Sequence, residues 1–435
     1  MTQRGRRGPT RQENREAGSN RAAGPEELAR LLHTAVEFQK AGRFDQAVAV
    51  YRDILQTHPA HAETLHLLGL ACHQMGDDEA ARTHITAALA SKPDFAEALG
   101  NLGLVLRNLG RREEAVESLK KALALKPEFV EAHNNLGMVL RELGRSSEAA
   151  ASYRQALALK PDYAEAHNNL GNVLRDLGKL DQAVQSYQRA LALNPRYALA
   201  RNNLGTVLLD QTRLDEAIES FGKALALKPD YAEAHNNLGN ALRAQGRLDQ
   251  AALSLDRALA LDPDYALAHN NLGAVRLEQG RVREAAQSFR RALALDSDYA
   301  EAHNNLGTAL KAAGLVKEAV TSYRQAIELM PDNAEAHNNL GTALNDLGQS
   351  GEALESFRKA LDIDPDYPMA HNNLIYILRL MPETRSSSLK AAAERFGSVV
   401  AARAEPFRAW PVSRDAEKRL RVGLVSGDLR EHVVG

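Results

Sequence analysis

The chain has 435 residues, of which 44% are hydrophobic and 25% are charged, and its formal net charge is −2. These values are typical of globular proteins, and no overall basic charge favours nucleic acid as a partner. The single cysteine, Cys72, excludes an intramolecular disulfide, and no apolar stretch is long enough to cross a bilayer. We therefore expect a cytoplasmic protein without a membrane partner.

Residues 1–24 form the first predicted segment. They are rich in arginine and contain almost no apolar side chains, so they cannot bury enough surface to offset the entropy lost on ordering. No apolar stretch follows Arg4, Arg6 and Arg7, which argues against a secretory signal. We predict a disordered arginine-rich tail over 1–24.

A repeat with a period of 34 residues dominates residues 25–380. Its signature Ala-His-Asn-Asn-Leu-Gly returns with the glycine at Gly137, Gly171, Gly239, Gly273, Gly307 and Gly341. Repeats start near residues 28, 62, 96, 130, 164, 198, 232, 266, 300 and 334, and an eleventh start at 368 supplies one helix. A fixed period of this length predicts a solenoid.

The unit that begins at Ala164 predicts two helices. Its first helix has apolar residues at helical spacing and ends in a turn, and its second helix carries small residues and a tyrosine before a proline stops it. The residues at these positions are Leu170, Gly171, Gly178, Ala183, Tyr187, Ala190 and Pro195. Asp162 and Glu165 have the spacing of a capping box at the start of the first helix.

These seven positions are consensus positions of the tetratricopeptide repeat, and the sequence resembles that family over residues 28–380. The resemblance implies an all-α, right-handed superhelix of about ten antiparallel helix pairs plus one helix. Three residues depart from the pattern. Thr212 replaces a turn glycine, Ser297 replaces a proline, and Ile375 replaces a first-helix glycine.

An asparagine recurs at one position of the first helix, directly before Leu-Gly, in nine successive repeats. In tetratricopeptide repeats this position faces the concave surface, and a carboxamide can pair with a peptide's N–H and C=O groups. We therefore predict that these side chains bind extended or disordered segments of partner proteins in the groove. The predicted peptide-binding residues are Asn101, Asn135, Asn169, Asn203, Asn237, Asn271, Asn305, Asn339 and Asn373. The alternative is that they bond to one another or to their own backbone.

Three other rows of polar residues have mainly structural interpretations. The preceding asparagines, from Asn134 to Asn372, are expected to be structural. Bases one turn further along are expected to form salt links: Arg107, Arg141, Arg175, Arg243 and Lys311. Glutamates at the helix starts are expected to serve the N-termini: Glu97, Glu131, Glu165, Glu233, Glu301 and Glu335.

A histidine also recurs once in most repeats, and this row raises the question of a metal site. Packed helices lie ~8–10 Å apart, whereas zinc ligands lie about 2 Å from the metal. Equivalent histidines therefore cannot share an ion, and we predict packing residues and no metal. The row comprises His133, His167, His235, His269, His303, His337 and His371.

The repeat pattern ends after residue 380. Residues 381–418 are predicted to be a helical linker, with a helix over 386–407 and Ser388 as its N-cap. The apolar run at 420–426 then predicts a buried strand. Because a strand needs a partner for its N–H and C=O groups, we expect 419–435 to be the first strand and loop of a truncated domain.

A repeat array followed by Arg-Leu-Arg-Val-Gly-x-Val-Ser-x-Asp-x-x-x-His, here residues 419–432, resembles the bacterial protein O-GlcNAc transferases. The resemblance implies a Rossmann-like catalytic domain that transfers N-acetylglucosamine from UDP-GlcNAc to Ser or Thr, with the asparagines guiding the protein substrate. His432 matches a histidine located at the family's active site, whereas Leu429 departs from the family's phenylalanine. The chain as given lacks nearly all of that domain, so we expect it to bind without catalysing and to hold no cofactor of its own.

Two other functions stay open. A stand-alone tetratricopeptide scaffold for protein–protein interaction should end in a polar capping helix. Helical repeats that bind nucleic acid should have a basic groove, which the glutamates of the first helices argue against. The exposed edges of such an array also allow a homodimer.

Overall fold

The computed structural model describes residues 24–381 and 386–403, and all regular secondary structure in these residues is helical. The chain divides into two compact units between Ser297 and Asp298. The predicted tail, apart from Gly24, lies outside the described residues, as do the strand and loop predicted at 419–435 and His432. None of the described helices is long and apolar enough to span a membrane.

The first unit contains sixteen described helices. They are α1 (Pro25–Lys40), α2 (Phe44–Thr57), α3 (Ala62–Gln74), α4 (Asp78–Ser91), α5 (Ala96–Asn108), α6 (Arg112–Leu125), α7 (Val130–Glu142), α8 (Ser146–Leu159), α9 (Ala164–Asp176), α10 (Leu180–Leu193), α11 (Ala198–Asp210), α12 (Leu214–Leu227), α13 (Ala232–Ala244), α14 (Leu248–Leu261), α15 (Ala266–Glu278) and α16 (Val282–Leu295).

The second unit contains six described helices: α17 (Ala300–Ala312), α18 (Val316–Leu329), α19 (Ala334–Asp346), α20 (Ser350–Ile363), α21 (Pro368–Leu380) and α22 (Ser386–Arg403). Helices α1 to α20 form ten consecutive pairs, α21 is the first helix of an eleventh unit, and α22 packs against it. The predicted all-α fold and the predicted number of helix pairs are confirmed.

The core is formed where the two helices of a pair face each other. In the repeat that begins at Ala164, Ala183, Tyr187 and Ala190 are fully buried, as are the inner residues Val173 and Leu174 of the first helix. This burial continues from repeat to repeat within the first unit, so that one apolar cluster extends from Leu106 to Ala241. Stacking therefore supplies the core that one helix pair cannot form alone.

The turn after each first helix needs a residue with positive φ, and glycine supplies it at low cost. Gly178 has φ +70°, for example, whereas Thr212 is forced to φ +59° at the equivalent place. Thr212 is the one non-glycine residue with positive φ among the described residues. The sequence departure at this position thus retains the turn and adds backbone strain.

Two predicted helix N-caps are wrong, although both helices begin where the sequence predicted. Helix α9 begins at Ala164 with Tyr163 as its N-cap and without a side-chain capping hydrogen bond. Asp162 lies one residue too far from the helix to cap it, so it forms no capping box with Glu165. Helix α22 begins at Ser386, which places Ser388 inside the helix rather than at its N-cap.

Candidate functional site

The nine predicted peptide-binding asparagines share one position of the repeat, and we call this set, six in the first unit and three in the second, the asparagine ladder. They lie on the first helices of the repeats, from Asn101 on α5 to Asn373 on α21, and all nine side chains are half-buried. They occupy the same turn of each helix because the repeat has a constant length of 34 residues. Their role in binding a peptide stays a prediction.

Most ladder side chains form a hydrogen bond to the preceding repeat. In each of these bonds Nδ2 donates to the Oδ1 atom of an asparagine 35 residues earlier. The distances are 3.3 Å for Asn169–Asn134, 3.0 Å for Asn203–Asn168, 3.1 Å for Asn237–Asn202 and 2.9 Å for Asn271–Asn236, and in the second unit 3.1 Å for Asn339–Asn304 and 2.8 Å for Asn373–Asn338. The alternative, that the asparagines bond to one another, is thus correct for these six residues, and it accounts for one N–H group of each side-chain amide.

The asparagines that accept these bonds are buried. Asn134 is 5% exposed, Asn168 is 1% exposed and Asn202 is fully buried. Asn168 Nδ2 in turn donates to Asn169 Oδ1 at 3.3 Å, so that a continuous chain of amides runs across repeats 4 to 6. The structural role expected for this register is confirmed for these buried acceptors, whereas Asn372, its last member, is exposed.

The ladder is incomplete at the N-terminal repeats. Asn135 has no such bond because the equivalent acceptor position of the preceding repeat is Gly100. Asn101 pairs with the imidazole of His66, with 2.8 Å between Nδ2 and Nε2. Burial lowers the pKa of His66 to about 4, so the ring is neutral at pH 7 and its Nε2 atom can accept this bond.

A second row of contacts consists of ion pairs one turn further along the first helices. Each base pairs with an acid 35 residues later, at the end of the next first helix. The nitrogen–oxygen distances are 2.5 Å for Arg107–Glu142, 2.6 Å for Arg141–Asp176, 2.5 Å for Arg175–Asp210, 3.8 Å for Arg243–Glu278 and 3.4 Å for Lys311–Asp346. The interpretation of these bases as salt links is confirmed.

The glutamates that open the first helices lie in the first turn, as predicted, and some also reach neighbouring groups. Glu97 accepts a hydrogen bond from Lys126 Nζ at 2.8 Å, and Glu233 accepts one from Asn202 Nδ2 at 3.0 Å. Hydrogen bonding to Lys126 lowers the pKa of Glu97. The Glu233 contact therefore connects two repeats, whereas the Glu97 contact joins the two ends of one repeat.

The recurring histidines attach each first helix to the loop before it. The Nε2 atom of His167 donates to the carbonyl oxygen of Pro161 at 3.0 Å, and His133, His235, His269, His337 and His371 form the same bond to the proline six residues earlier. Arg201 takes the same place and bonds to the carbonyl oxygen of Pro195 at 3.0 Å. The described residues contain no group of three His, Cys, Asp or Glu side chains that could hold a metal ion.

Between the ladder and the ion pairs lies a row of half-buried residues whose character changes along the first unit. It is apolar in repeats 2 to 4, with Leu70, Leu104 and Met138, and polar in repeats 5 to 7, with Asn172, Thr206 and Asn240. A ligand that lies along the ladder would therefore meet an apolar stretch followed by a polar stretch.

A cavity of about 320 Å³ lies where this row changes from apolar to polar. It is lined by Met138, Tyr153, Asn169 and Asn172 and by the ion pairs Arg107–Glu142 and Arg141–Asp176. Sequence reasoning named Asn169 as a peptide-binding residue but did not predict the cavity. The change from leucine at Leu70 and Leu104 to asparagine at Asn172 in the aligned repeats would have marked this part of the groove.

The comparisons with known proteins address the family. The sequence profile of the cilia and flagella-associated protein 70 C-terminal domain, which consists of tetratricopeptide repeats, matches residues 2–237 and 163–372. The chain belongs to this family. The repeat type inferred from the sequence is thereby confirmed. No curated protein was found to match the chain.

Solved tetratricopeptide structures resemble the chain in fold. The APC/C hetero-tetramer Cut9-Hcn1 matches with a TM-score of 0.52 at 17% identity, over 83% of this chain and 78% of the other. A tetratricopeptide repeat protein from Parabacteroides merdae matches with a TM-score of 0.49 at 20% identity, over 57% of this chain and 99% of the other. At 17% identity the likeness to Cut9-Hcn1 concerns the fold alone. The matching family is not described as a glycosyltransferase.

Proposed function

We propose that this tetratricopeptide array is a protein–protein interaction module whose asparagine ladder binds extended segments of partner proteins. The observation that supports the proposal most directly is that the ladder amides still have unused hydrogen-bonding groups. Each amide carries two N–H groups and an oxygen with two lone pairs, and in Asn169 and Asn203 the hydrogen bond to the preceding repeat uses one N–H. The half-buried side chains retain a donor and an acceptor for a backbone amide.

The ladder suits a peptide backbone rather than one particular sequence. Its members repeat with every first helix, and first helices in contact lie ~8–10 Å apart. An extended chain advances about 3.3 Å per residue, so roughly every third peptide unit would meet a ladder amide. The bases beside the ladder are already paired with acids, which leaves the groove without a strong preference for charge.

The test compares two triple variants that remove the same inter-repeat hydrogen bonds. The first variant replaces the donors, Asn169, Asn203 and Asn237, with alanine. The second replaces the acceptors, Asn134, Asn168 and Asn202, which are at most 5% exposed and cannot contact a ligand directly. Both variants lose these three bonds and the bond that Asn168 donates to Asn169, and the second also loses the bond that Asn202 donates to Glu233. Only the first variant loses contacts to the ligand.

The ligands for this test are peptides selected on the unmodified protein from a random 15-residue library. At about 1 kcal/mol per hydrogen bond, the donor variant should weaken binding by up to about a hundredfold. The acceptor variant should retain most of the affinity at a temperature where both are folded. Equal affinity losses in the two variants, or no selected binders at all, would refute peptide recognition by the ladder.

A second candidate function is the substrate-binding part of a protein O-GlcNAc transferase-like enzyme that uses UDP-GlcNAc. The sequence at 419–432, with Arg421, Val422, Gly423, Asp428 and His432 on the family's opening motif, favours it. In that case the ladder would guide protein acceptors toward serine or threonine glycosylation. The active-site location of His432 belongs to this second proposal.

The second candidate is tested with the complete product of the gene, purified from its native source. Incubation with UDP-[³H]GlcNAc and the selected peptides, extended by a serine, should label the serine if the proposal is right. A protein with His432→Ala should label it far more slowly. Peptide binding without any uptake of label would leave the interaction module as the function.

A further inference from the structure

Tyr153 differs from the other tyrosines at its position in the repeat. The Tyr187 hydroxyl donates to Asn172 Oδ1 at 2.7 Å, and the Tyr323 hydroxyl donates to Thr308 Oγ1 at 3.2 Å. For Tyr153 the equivalent acceptor position is Met138, whose thioether is a weak acceptor. Within the described part of the chain, the Tyr153 hydroxyl makes no hydrogen bond, although the residue is only 1% exposed.

The unpaired hydroxyl lies at the cavity described above. Tyr153 and Met138 both line that cavity, and the hydroxyl is the only polar atom of the tyrosine side chain. Burial raises the pKa of Tyr153, so the group is an O–H donor around neutral pH. The hydroxyl has no hydrogen-bond partner within the described protein and borders the cavity, so a ligand atom in the cavity can accept its hydrogen bond.

The other groups of the cavity restrict the chemistry of that ligand. The charges balance, since Arg107 pairs with Glu142 and Arg141 pairs with Asp176. A charged ligand group would therefore find no net opposite charge. The Oδ1 atoms of Asn169 and Asn172 each accept one hydrogen bond already, which leaves a lone pair on each for a donor.

A carboxamide combines the acceptor that Tyr153 needs with the donors that Asn169 and Asn172 can accept. We propose that the cavity over Tyr153 is a subsite for an asparagine or glutamine side chain of the bound segment. The inference rests on the proposed peptide-binding function and adds a sequence preference to it.

The neighbouring repeats fix the register of the remaining ligand residues. Leu104 and Leu70 occupy the equivalent place one and two repeats away, and both are half-buried. With ~8–10 Å per repeat and about 3.3 Å per residue of an extended chain, the ligand advances about three residues per repeat. Apolar side chains are therefore expected about three and six residues from the carboxamide, on the side of repeats 3 and 2.

The experiment selects peptides from a random 15-residue display library in parallel on the unmodified protein and on three variants. Tyr153→Phe removes the donor. Met138→Asn supplies the internal acceptor that Asn172 provides for Tyr187. Tyr323→Phe serves as a control, because it removes a hydroxyl at the same register that is already bonded to Thr308.

Peptides selected on the unmodified protein and on Tyr323→Phe should be enriched in asparagine or glutamine at one position, with apolar residues about three and six positions away. Both Tyr153→Phe and Met138→Asn should lose the carboxamide enrichment and keep the apolar one. In a selected peptide, replacing the carboxamide residue by alanine should weaken binding about fivefold on the unmodified protein and less than twofold on Tyr153→Phe.

Different experimental results would contradict the proposed subsite and the proposed function. Binders that depend on Asn169, Asn203 and Asn237 but show no carboxamide preference, or keep it on Tyr153→Phe, would overturn the subsite and leave the ladder. An absence of binders from all selections would overturn the proposed function together with the subsite. A role of Tyr153 confined to stability would shift the melting temperature of Tyr153→Phe without changing the selected sequences.

Discussion

Gly171 lies directly against the ring of Tyr187, so closely that a Cβ atom on Gly171 would come within 2.6 Å of Tyr187 Cε1. Real Cβ atoms do not approach other atoms this closely. The same contact joins Gly137 to Tyr153, Gly205 to Phe221, Gly273 to Phe289, Gly307 to Tyr323 and Gly341 to Phe357. The absence of a side chain on the first helix therefore lets the two helices of a pair approach each other across an aromatic ring.

We expect Gly171→Ala to lower the free energy of unfolding by about 1–3 kcal/mol, because the added methyl group overpacks a rigid ring. Gly222, in α12, is the matched control, since nothing lies within 4 Å of the place of its Cβ. Gly222→Ala should raise stability by about 0.5–1 kcal/mol through helix propensity. Urea denaturation followed by circular dichroism checks both, and equal effects of the two substitutions would contradict the packing argument.

The strained turn at Thr212 gives a second prediction. A β-branched residue at φ +59° is unfavourable, whereas glycine adopts this conformation readily. Thr212→Gly should therefore raise the free energy of unfolding by about 1 kcal/mol. Gly178→Thr, the reverse change at φ +70° in the preceding repeat, should lower it by a similar amount. The urea midpoints of the two variants should move in opposite directions.

His66 makes the stability of the N-terminal repeats depend on pH. Its folded-state pKa of about 4 lies below the unfolded value of 6.5, so the unfolded chain binds more protons between these values. Its contribution is therefore fully present above pH 6.5 and is lost as the pH falls toward 4. The loss amounts to as much as about 3 kcal/mol.

The pH prediction can be assigned to His66 by replacing it with asparagine, the residue at the equivalent position of later repeats. His66→Asn should retain a partner for Asn101 and flatten the dependence of the urea midpoint on pH between 6.5 and 4. His84→Asn is a control for histidine removal, although burial also lowers the pKa of His84. An unchanged pH profile in His66→Asn would show that other groups cause the acid loss.

Arg276 occupies a position in α15 where other repeats have a core leucine such as Leu140, Leu174 or Leu208. Its Nη1 donates to Ser288 Oγ at 2.7 Å and its Nη2 lies 3.7 Å from Asp256 Oδ1, but its buried Nε atom has no partner among the described residues. We expect Arg276→Leu to raise the free energy of unfolding by about 1–3 kcal/mol, because it removes an unsatisfied donor and adds apolar contact.

The comparison for Arg276 is Arg175, whose guanidinium forms an ion pair with Asp210 at the surface. Arg175→Leu should change stability by less than about 1 kcal/mol, since exposed ion pairs contribute little. The urea midpoint distinguishes the two substitutions. If Arg276→Leu lowers the urea midpoint, Arg276 stabilises the fold and the prediction is wrong.

Sequence reasoning located the first helices and their turns well, and it failed at the capping residues. The period and the apolar spacing are properties of the local sequence, so Leu170, Gly171 and Gly178 could be placed without coordinates. The expected cap at Asp162 failed because the start of α9 depends on where the chain leaves the preceding helix. A difference of one residue is enough to move a carboxylate out of capping range.

The sequence by itself determined the repeat, the paired helices, the buried faces and the two rows of asparagines, because these follow from local spacing and the need to bury apolar side chains. Only the tertiary structure decided how those side chains are used. Asn169 bonds to Asn134, and Arg141 to Asp176, across 35 residues of chain. Such contacts exist only once neighbouring repeats have stacked, since their geometry is set by the distance between helices rather than by neighbours along the chain.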